Sequence, residues 1–154
     1  MNTAQNPNAA QIIANAGFDL DLLDQMPSLT HKCGVIFDDN GDPVSGFIMV
    51  GKNSAEYQAN QATIKTENIQ RAGKRKKAID TATEEGAAVV TETMARNDRS
   101  TAMAVVTGFF GFDRAGKPVE FSKDLLETMF NKMPQWQAKV LNDLDEEANF
   151  SKAS

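Results

Sequence analysis

The sequence has few of the residue types that most often carry chemistry. Its 154 residues include one cysteine, Cys33, and one histidine, His31. A single cysteine excludes a disulfide within the chain, and one Cys with one His cannot build a four-ligand zinc site. No apolar run reaches the roughly 18 residues of a membrane span. The N-terminus also lacks the basic start and apolar stretch of a signal peptide. We therefore expect a soluble protein of a reducing compartment, without membrane contact.

Sequence patterns typical of catalysis or cofactor binding are also missing. The glycines of 108–111 enclose two phenylalanines and lack the Lys-Ser/Thr of a phosphate-binding loop. Residues 38–42 alternate acidic and amide side chains like the start of a calcium loop, but the glycine and the later glutamate of that loop are absent. His31 and Cys33 share one face of a predicted strand, yet a nucleophilic pair needs a third, orienting group. The sequence predicts no enzyme, no metal site and no cofactor.

The chain does carry one octapeptide pattern twice. F-D-x-x-G-x-P-V occurs at 37–44 and again at 112–119. Its Asp, Gly and Pro are typical of tight turns. Bulky apolar runs flank the first copy and predict a β-hairpin over about 32–51. A capped helical pattern follows the second copy directly, so we interpret the two copies as similar turns rather than as a duplicated unit.

The rest of the chain favours helices. Ala, Glu, Gln, Lys and Arg dominate between the two turns, and apolar residues recur at helical spacing after the second. We predict helices over about 54–80, 86–107, 122–133 and 134–149. The aromatic stretch near 108–112 is predicted as a short hairpin or an ordered loop, and a weak helical pattern lies near 12–23.

The predicted fold class is α+β, predominantly helical, with an N-terminal β-hairpin followed by about four helices. These elements form a single globular domain over 11–150. A disordered segment precedes it over 1–10, because that segment is polar and has no apolar pattern.

Charge is distributed unevenly along the chain. The first fifty residues hold one Lys against six Asp, whereas 65–77 holds six basic residues against Glu67. This basic patch consists of Lys65, Arg71, Lys74, Arg75, Lys76 and Lys77. It is interpreted as a solvated helix face, as a surface for a protein partner, including the chain's own acidic segments, or as a nucleic-acid site. The interleaved aromatics of a single-strand binder are missing from it, and the net charge of −5 also argues against nucleic acid.

Methionines and aromatic residues are concentrated in the C-terminal half. Core packing is one interpretation, and an adaptable groove for an apolar partner segment is the other. The candidate partner-binding residues are Met94, Met103, Phe109, Phe110, Phe112, Leu125, Met129, Phe130 and Trp136.

The order of features from Gly46 onward resembles the tail assembly chaperones of long-tailed bacteriophages. A strand ends in M-V-G-K, and N-S-A-E-Y-Q opens a long polar helix. A second helix with A-M-A-V-V leads to an aromatic stretch, the turn D-R-A-G-K-P-V-E-F-S and the helix K-D-L-L. The resemblance covers about two-thirds of the chain and excludes the first 45 residues. Where the family often has a Trp before the turn, this chain has Phe.

This resemblance implies a non-enzymatic protein of the infected host's cytoplasm. It would bind the long, helical tape measure protein and keep it soluble while the tail tube assembles. It also implies contacts with the tail tube protein and self-association. Two alternatives stay open: a virion structural protein, such as a head–tail connector or minor tail component, and a small nucleic-acid-binding protein that uses 65–77.

Overall fold

The computed structural model describes residues 20, 21, 23 and 29–151 of the chain. A three-stranded antiparallel sheet and four helices make up its main architecture. The predicted fold class, helix-rich α+β with an N-terminal hairpin, is therefore confirmed. The segment 1–10 lies outside the described residues, as does most of the helical pattern near 12–23.

The first turn closes a β-hairpin, as predicted. Strand β1 (Thr30–Phe37) pairs antiparallel with β2 (Pro43–Val50). The carboxylate of Asp38 accepts hydrogen bonds from the backbone N–H groups of Asn40 and Asp42, both at 2.9 Å. Gly41 has φ +83°, a conformation that glycine adopts without steric cost. The aspartate that resembled a calcium ligand thus satisfies the backbone of its own turn.

The first long helix is shorter than predicted. Helix α1 (Ala55–Lys74) has Ser54 as its N-cap, and the Ser54 hydroxyl accepts from the backbone N–H of Tyr57 at 3.2 Å. It ends at Lys74, so the predicted end at 80 is wrong. Gly73 weakens the last turn, and the consecutive like charges of 74–77 repel one another where the helix would continue.

The second long helix starts from a side-chain cap. Helix α2 (Glu84–Val105) has Thr83 as its N-cap, whose hydroxyl oxygen accepts from the N–H of Gly86 at 3.0 Å. The same hydroxyl donates to the carbonyl of Asp80 at 2.7 Å. These bonds order the last residues of the loop, 80–83, before the helix begins. The loop covers 75–83, so the break between the two helices is longer than the one predicted near 83–86.

The aromatic stretch forms a strand. Strand β3 (Val106–Phe110) pairs antiparallel with β2, giving the sheet order β1-β2-β3. The predicted helix to 107 is therefore wrong by two residues at its end. Val105, Val106 and Thr107 are β-branched and Gly108 follows, a run that favours strand over helix. The second turn forms a small hairpin, β4 (Asp113–Arg114) and β5 (Lys117–Pro118).

Two shorter helices complete the fold. Helix α3 (Lys123–Lys132) is capped by Ser122, which accepts from the N–H of Leu125 at 3.1 Å. Helix α4 (Pro134–Asp145) starts with proline at its first position, as predicted. It ends at Asp145 rather than at 149, and a 3₁₀ turn (Glu147–Phe150) follows. The ring of Phe150 packs edge-on to His31 with centroids 5.7 Å apart. This contact holds the 3₁₀ turn against β1.

The core lies between the sheet and α2, α3 and α4. Phe47, from the central strand, is fully buried and contacts four other aromatic rings. The buried apolar side chains form one cluster: Cys33, Phe47, Met49, Val50, Ala102, Val105, Val106, Leu126, Phe130, Val140 and Leu144. None of them comes from α1, which reaches the core only through the half-buried Tyr57.

Candidate partner-binding site

Helices α1 and α2 form an antiparallel hairpin that we call the arm (55–105). No residue of α1 is buried, and α2 buries only Gly86, Ala102 and Val105. Where side chains join the two helices they are polar. Asn60 accepts from the hydroxyl of Ser100 at 2.6 Å and donates to that of Thr101 at 3.3 Å. The arm is therefore held together without a buried apolar seam along its length.

Several apolar side chains of the arm stay in contact with solvent. Ile69 is 64% exposed, Met94 61% and Val89 41%, while Ile64 is half-buried. Isolated exposed apolar residues are normal on protein surfaces. Ile69 lies on α1, whereas Met94 and Val89 lie on α2, so both helices of the arm expose apolar side chains.

An open groove runs along α1. At its base, a depression of about 510 Å³ is bounded by Tyr57 and Ile64 of α1, Thr101 of α2 and Leu141 of α4. A second, shallower depression of about 550 Å³ lies toward the tip on the surface of α1 alone and includes Ile69 and Ala72. Gln61 and Ile64 line both depressions, so the two adjoin. We call the whole the arm groove; from position 57 to 72 it spans about 22 Å of helix.

Charge along the arm groove changes from base to tip. At the base, Lys52 pairs with Asp145 at 2.8 Å, and Asp98 also lines the wall. The hydrogen bond to Asp145 raises the pKa of Lys52. Toward the tip, Lys65 lines the groove, and the basic run of 74–77, where α1 ends and the loop begins, lies just beyond it. Within residues 29–151, no carboxylate lies within 4.0 Å of a charged nitrogen of 74–77.

The structure places the predicted basic patch on two elements. Lys65, Arg71 and Lys74 belong to α1, and the other three residues belong to the loop that follows. Arg71 lies 3.7 Å from Glu67, one helical turn before it. The predicted basic patch thus lies toward the end of the arm at which α1 meets the loop.

The predicted partner-binding residues divide between the core and the surface. Phe130 is fully buried, so it packs the core and is not free to meet a partner. Five others are half-buried and pack against the core: Met103, Phe109, Phe112, Met129 and Trp136. Leu125 is half-buried on α3, and Phe110 lies under the ammonium of Lys32, 5.5 Å from its ring centroid. Met94 alone in the set lies exposed on the arm.

Sequence reasoning overlooked the residues that line the arm groove. Tyr57, Ile64 and Ile69 were visible as sparse apolar positions in an otherwise polar helix. Their signal is weak because a few isolated apolar residues do not make a continuous stripe. Leu141 comes from a distant helix, and nothing local in the sequence places it beside α1.

A part-buried polar cluster joins β1 to α4. The carboxylate of Asp143 accepts from His31 Nε2 at 2.8 Å, from Lys139 Nζ and from the thiol of Cys33. Burial alone would raise the pKa of Asp143, but these hydrogen bonds outweigh it and the pKa is lowered. Burial, with the nearby Asp143 charge, raises the pKa of Cys33 to about 12. The thiol is therefore protonated at neutral pH, which disfavours a nucleophilic role.

A metal site and a membrane-spanning helix are both absent from the described residues. Among the described residues, no group of three or more His, Cys, Asp or Glu side chains is placed to hold a metal ion. Within the same residues, no helix combines the length and apolar character needed to cross a membrane. Comparison with family models, curated proteins and solved structures gave no match to this chain. The likeness to tail assembly chaperones thus depends on the residue patterns alone.

Proposed function

We propose that this chain is a non-enzymatic phage tail assembly chaperone that binds the tape measure protein through the arm groove. The observation that carries the proposal is the groove itself, a half-apolar trough along a helix that buries none of its residues. Its walls offer apolar contact at Tyr57, Ile64, Ile69 and Leu141, flanked by amide and charged side chains.

A helical partner suits this groove for two reasons. Its walls are helices, which present no open row of backbone donors and acceptors for an extended partner to pair with. An amphipathic helix satisfies its own backbone and places one apolar stripe in the groove. A tape measure protein is long and helical in the family that this chain resembles, so one chaperone would cover a short segment of it and many copies would cover the whole.

Co-expression with the tape measure protein of the same phage tests the proposal. We expect co-purification and a larger soluble fraction of the tape measure protein. Ile69→Gln should reduce both, because it places an amide in the apolar part of the groove. Ile36→Gln is the matched control, since Ile36 is 42% exposed on the hairpin, away from the arm. Neither co-purification nor improved solubility with the unmodified chain would refute the proposal.

One observation favours the alternative of a virion structural protein. The end of the β-hairpin exposes three apolar side chains, Ile36, Phe37 and Val44, and exposed apolar surface is common at protein–protein interfaces. Mass spectrometry of purified particles separates the two functions. A structural protein is present at fixed copy number, whereas a chaperone is missing or far below stoichiometric amounts.

A further inference from the structure

The charge gradient of the arm groove restricts the chemistry of its occupant. The base carries carboxylates of Asp98 and Asp145, with Lys52 paired to the latter. The tip half carries Lys65, and the run of 74–77, at the end of α1 and the start of the loop, adds four consecutive basic residues beyond it. Between 65 and 77 the one acidic residue is Glu67, which faces Arg71 at 3.7 Å.

Nearby acidic residues do not cancel the basic end of the groove. Glu84 and Glu85 lie in the first turn of α2, where the helix dipole stabilises negative charge, and they belong to the other helix of the arm. The carboxylate of Asp80 is engaged by the backbone N–H of Ala82 at 3.0 Å. Among residues 29–151, none of these three carboxylates forms an ion pair with residues 74–77, so the α1 side of the tip presents unpaired positive charge.

We infer that the segment bound in the arm groove is an amphipathic helix whose carboxylates are gathered at the end that meets Lys65 and residues 74–77. Ile64, Ile69 and Ala72 receive its apolar stripe. Its opposite end, over Asp98 and Asp145, carries neutral or basic side chains. This charge order fixes the direction in which the helix lies in the groove.

Nucleic acid fits the same surface less well. The groove is centred on isoleucines, and its single aromatic residue, Tyr57, lies at the acidic base rather than beside the basic loop. A single-strand site needs aromatic rings interleaved with the basic side chains. A phosphate backbone would also meet the carboxylates of Asp98 and Asp145 along half of the groove.

Three designed peptides test the inference with the full-length chain. Each has about 18 residues, which span about 27 Å as a helix. All share one leucine stripe and differ only in a cluster at one end, made of Glu, Gln or Lys. Fluorescence anisotropy of labelled peptides should give the Glu peptide about tenfold tighter binding than the Lys peptide at low salt. At about 1 M salt, where the Debye length is about 3 Å, this preference should disappear.

Two sets of charge-removing variants locate the effect. The triple change Lys74→Gln, Lys76→Gln and Lys77→Gln should bring the affinity of the Glu peptide closer to that of the Gln peptide, with Lys65 and Arg75 left to supply the remaining preference. The control removes as many charges elsewhere, with Arg114→Gln, Lys117→Gln and Lys132→Gln, and should leave the preference intact. Ile69→Gln should weaken all three peptides equally. Circular dichroism checks that each variant keeps its helix content.

Several outcomes would overturn the inference. Equal binding of the three peptides, or preference for the Lys peptide, contradicts the charge order. Tighter binding of a single-stranded oligonucleotide, lost in the tip variant, would assign the surface to nucleic acid. A dimer in sedimentation that Ile69→Gln dissociates would show that a second copy fills the groove.

The inference rests on the proposed function only for the identity of the partner. If the peptides discriminate but the tape measure protein does not co-purify, the charge order stands and the chaperone function fails. If the tape measure protein co-purifies while the peptides bind without preference, the chaperone function stands and the charge order fails. The two experiments therefore fail independently.

Discussion

Asp143 is the residue at which side chains of β1 and α4 meet. Its side chain is 13% exposed and accepts hydrogen bonds from His31, Lys139 and Cys33. Removing a charged acceptor from such a site leaves buried donors unsatisfied, which costs about 1–3 kcal/mol. At the scale of single residues, this cluster stabilises the contact between the sheet and the last helix.

The lowered pKa of Asp143 makes this contribution depend on pH. The unfolded chain binds a proton at this carboxylate near its ordinary value of 3.8, and the folded chain does so only at lower pH. Stability from this group is thus fully present above 3.8 and is lost as pH falls through the folded pKa. Asp143→Asn should lower the free energy of unfolding by about 1–3 kcal/mol at pH 7. Because asparagine does not titrate, the variant should also lose less of its free energy of unfolding than the unmodified chain as the pH falls below 3.8.

Guanidinium unfolding at neutral and acid pH measures both effects. Asp145→Asn is the control, because Asp145 lies two residues away, is 74% exposed and pairs only with Lys52 among the described residues. An acid dependence that is identical in the two variants would show that Asp143 does not cause it.

At the scale of elements, Lys123 connects α3 to the end of α2. Its ammonium donates to the carbonyl of Met103 and, at 2.8 Å, to that of Val106. These carbonyls lie where the helix gives way to β3 and would otherwise lack intrahelical partners. Burial lowers the pKa of Lys123, and the nearby Glu56 charge partly offsets that shift. The ammonium thus acts as a C-terminal cap supplied by another element.

Lys123→Met should destabilise the fold by about 1–2 kcal/mol, because the methionine fills the space but cannot donate to the carbonyls. Lys132→Met, in the last turn of the same helix, removes an exposed lysine and should change the free energy of unfolding by less than about 0.5 kcal/mol. Thermal unfolding followed by circular dichroism compares the two. Equal effects of the two variants would mean that the cap contributes nothing.

The elements that could be predicted are those with local signals. The caps Ser54 and Ser122, Pro134 at a helix start and the first turn each specify an element from a few adjacent residues. Strand β3 could not be predicted with the same certainty, because its pairing with β2 joins residues about sixty positions apart. The arm groove was missed for the same reason: Leu141 and Ile64 line one depression only because α4 packs against α2.

At the scale of the whole molecule, burial is unevenly distributed. The sheet, α3, α4 and the last turn of α2 supply nearly all buried apolar side chains, while α1 supplies none. Opening α1 away from α2 exposes the half-buried Tyr57 and Ile64 but no fully buried side chain, so its local free energy of opening is small compared with global unfolding. The molecule thus combines a stable core with an arm that can adjust to a partner.

Amide hydrogen exchange followed by mass spectrometry tests this division. Amides of α1 should exchange at least about 100-fold faster than those of β2, because α1 opens without disrupting the Phe47 cluster. Adding the Glu-ended peptide should slow exchange in α1 and leave β2 unchanged, since a ligand stabilises only the state that it binds. Equal protection of α1 and β2 in the free protein would contradict an open arm.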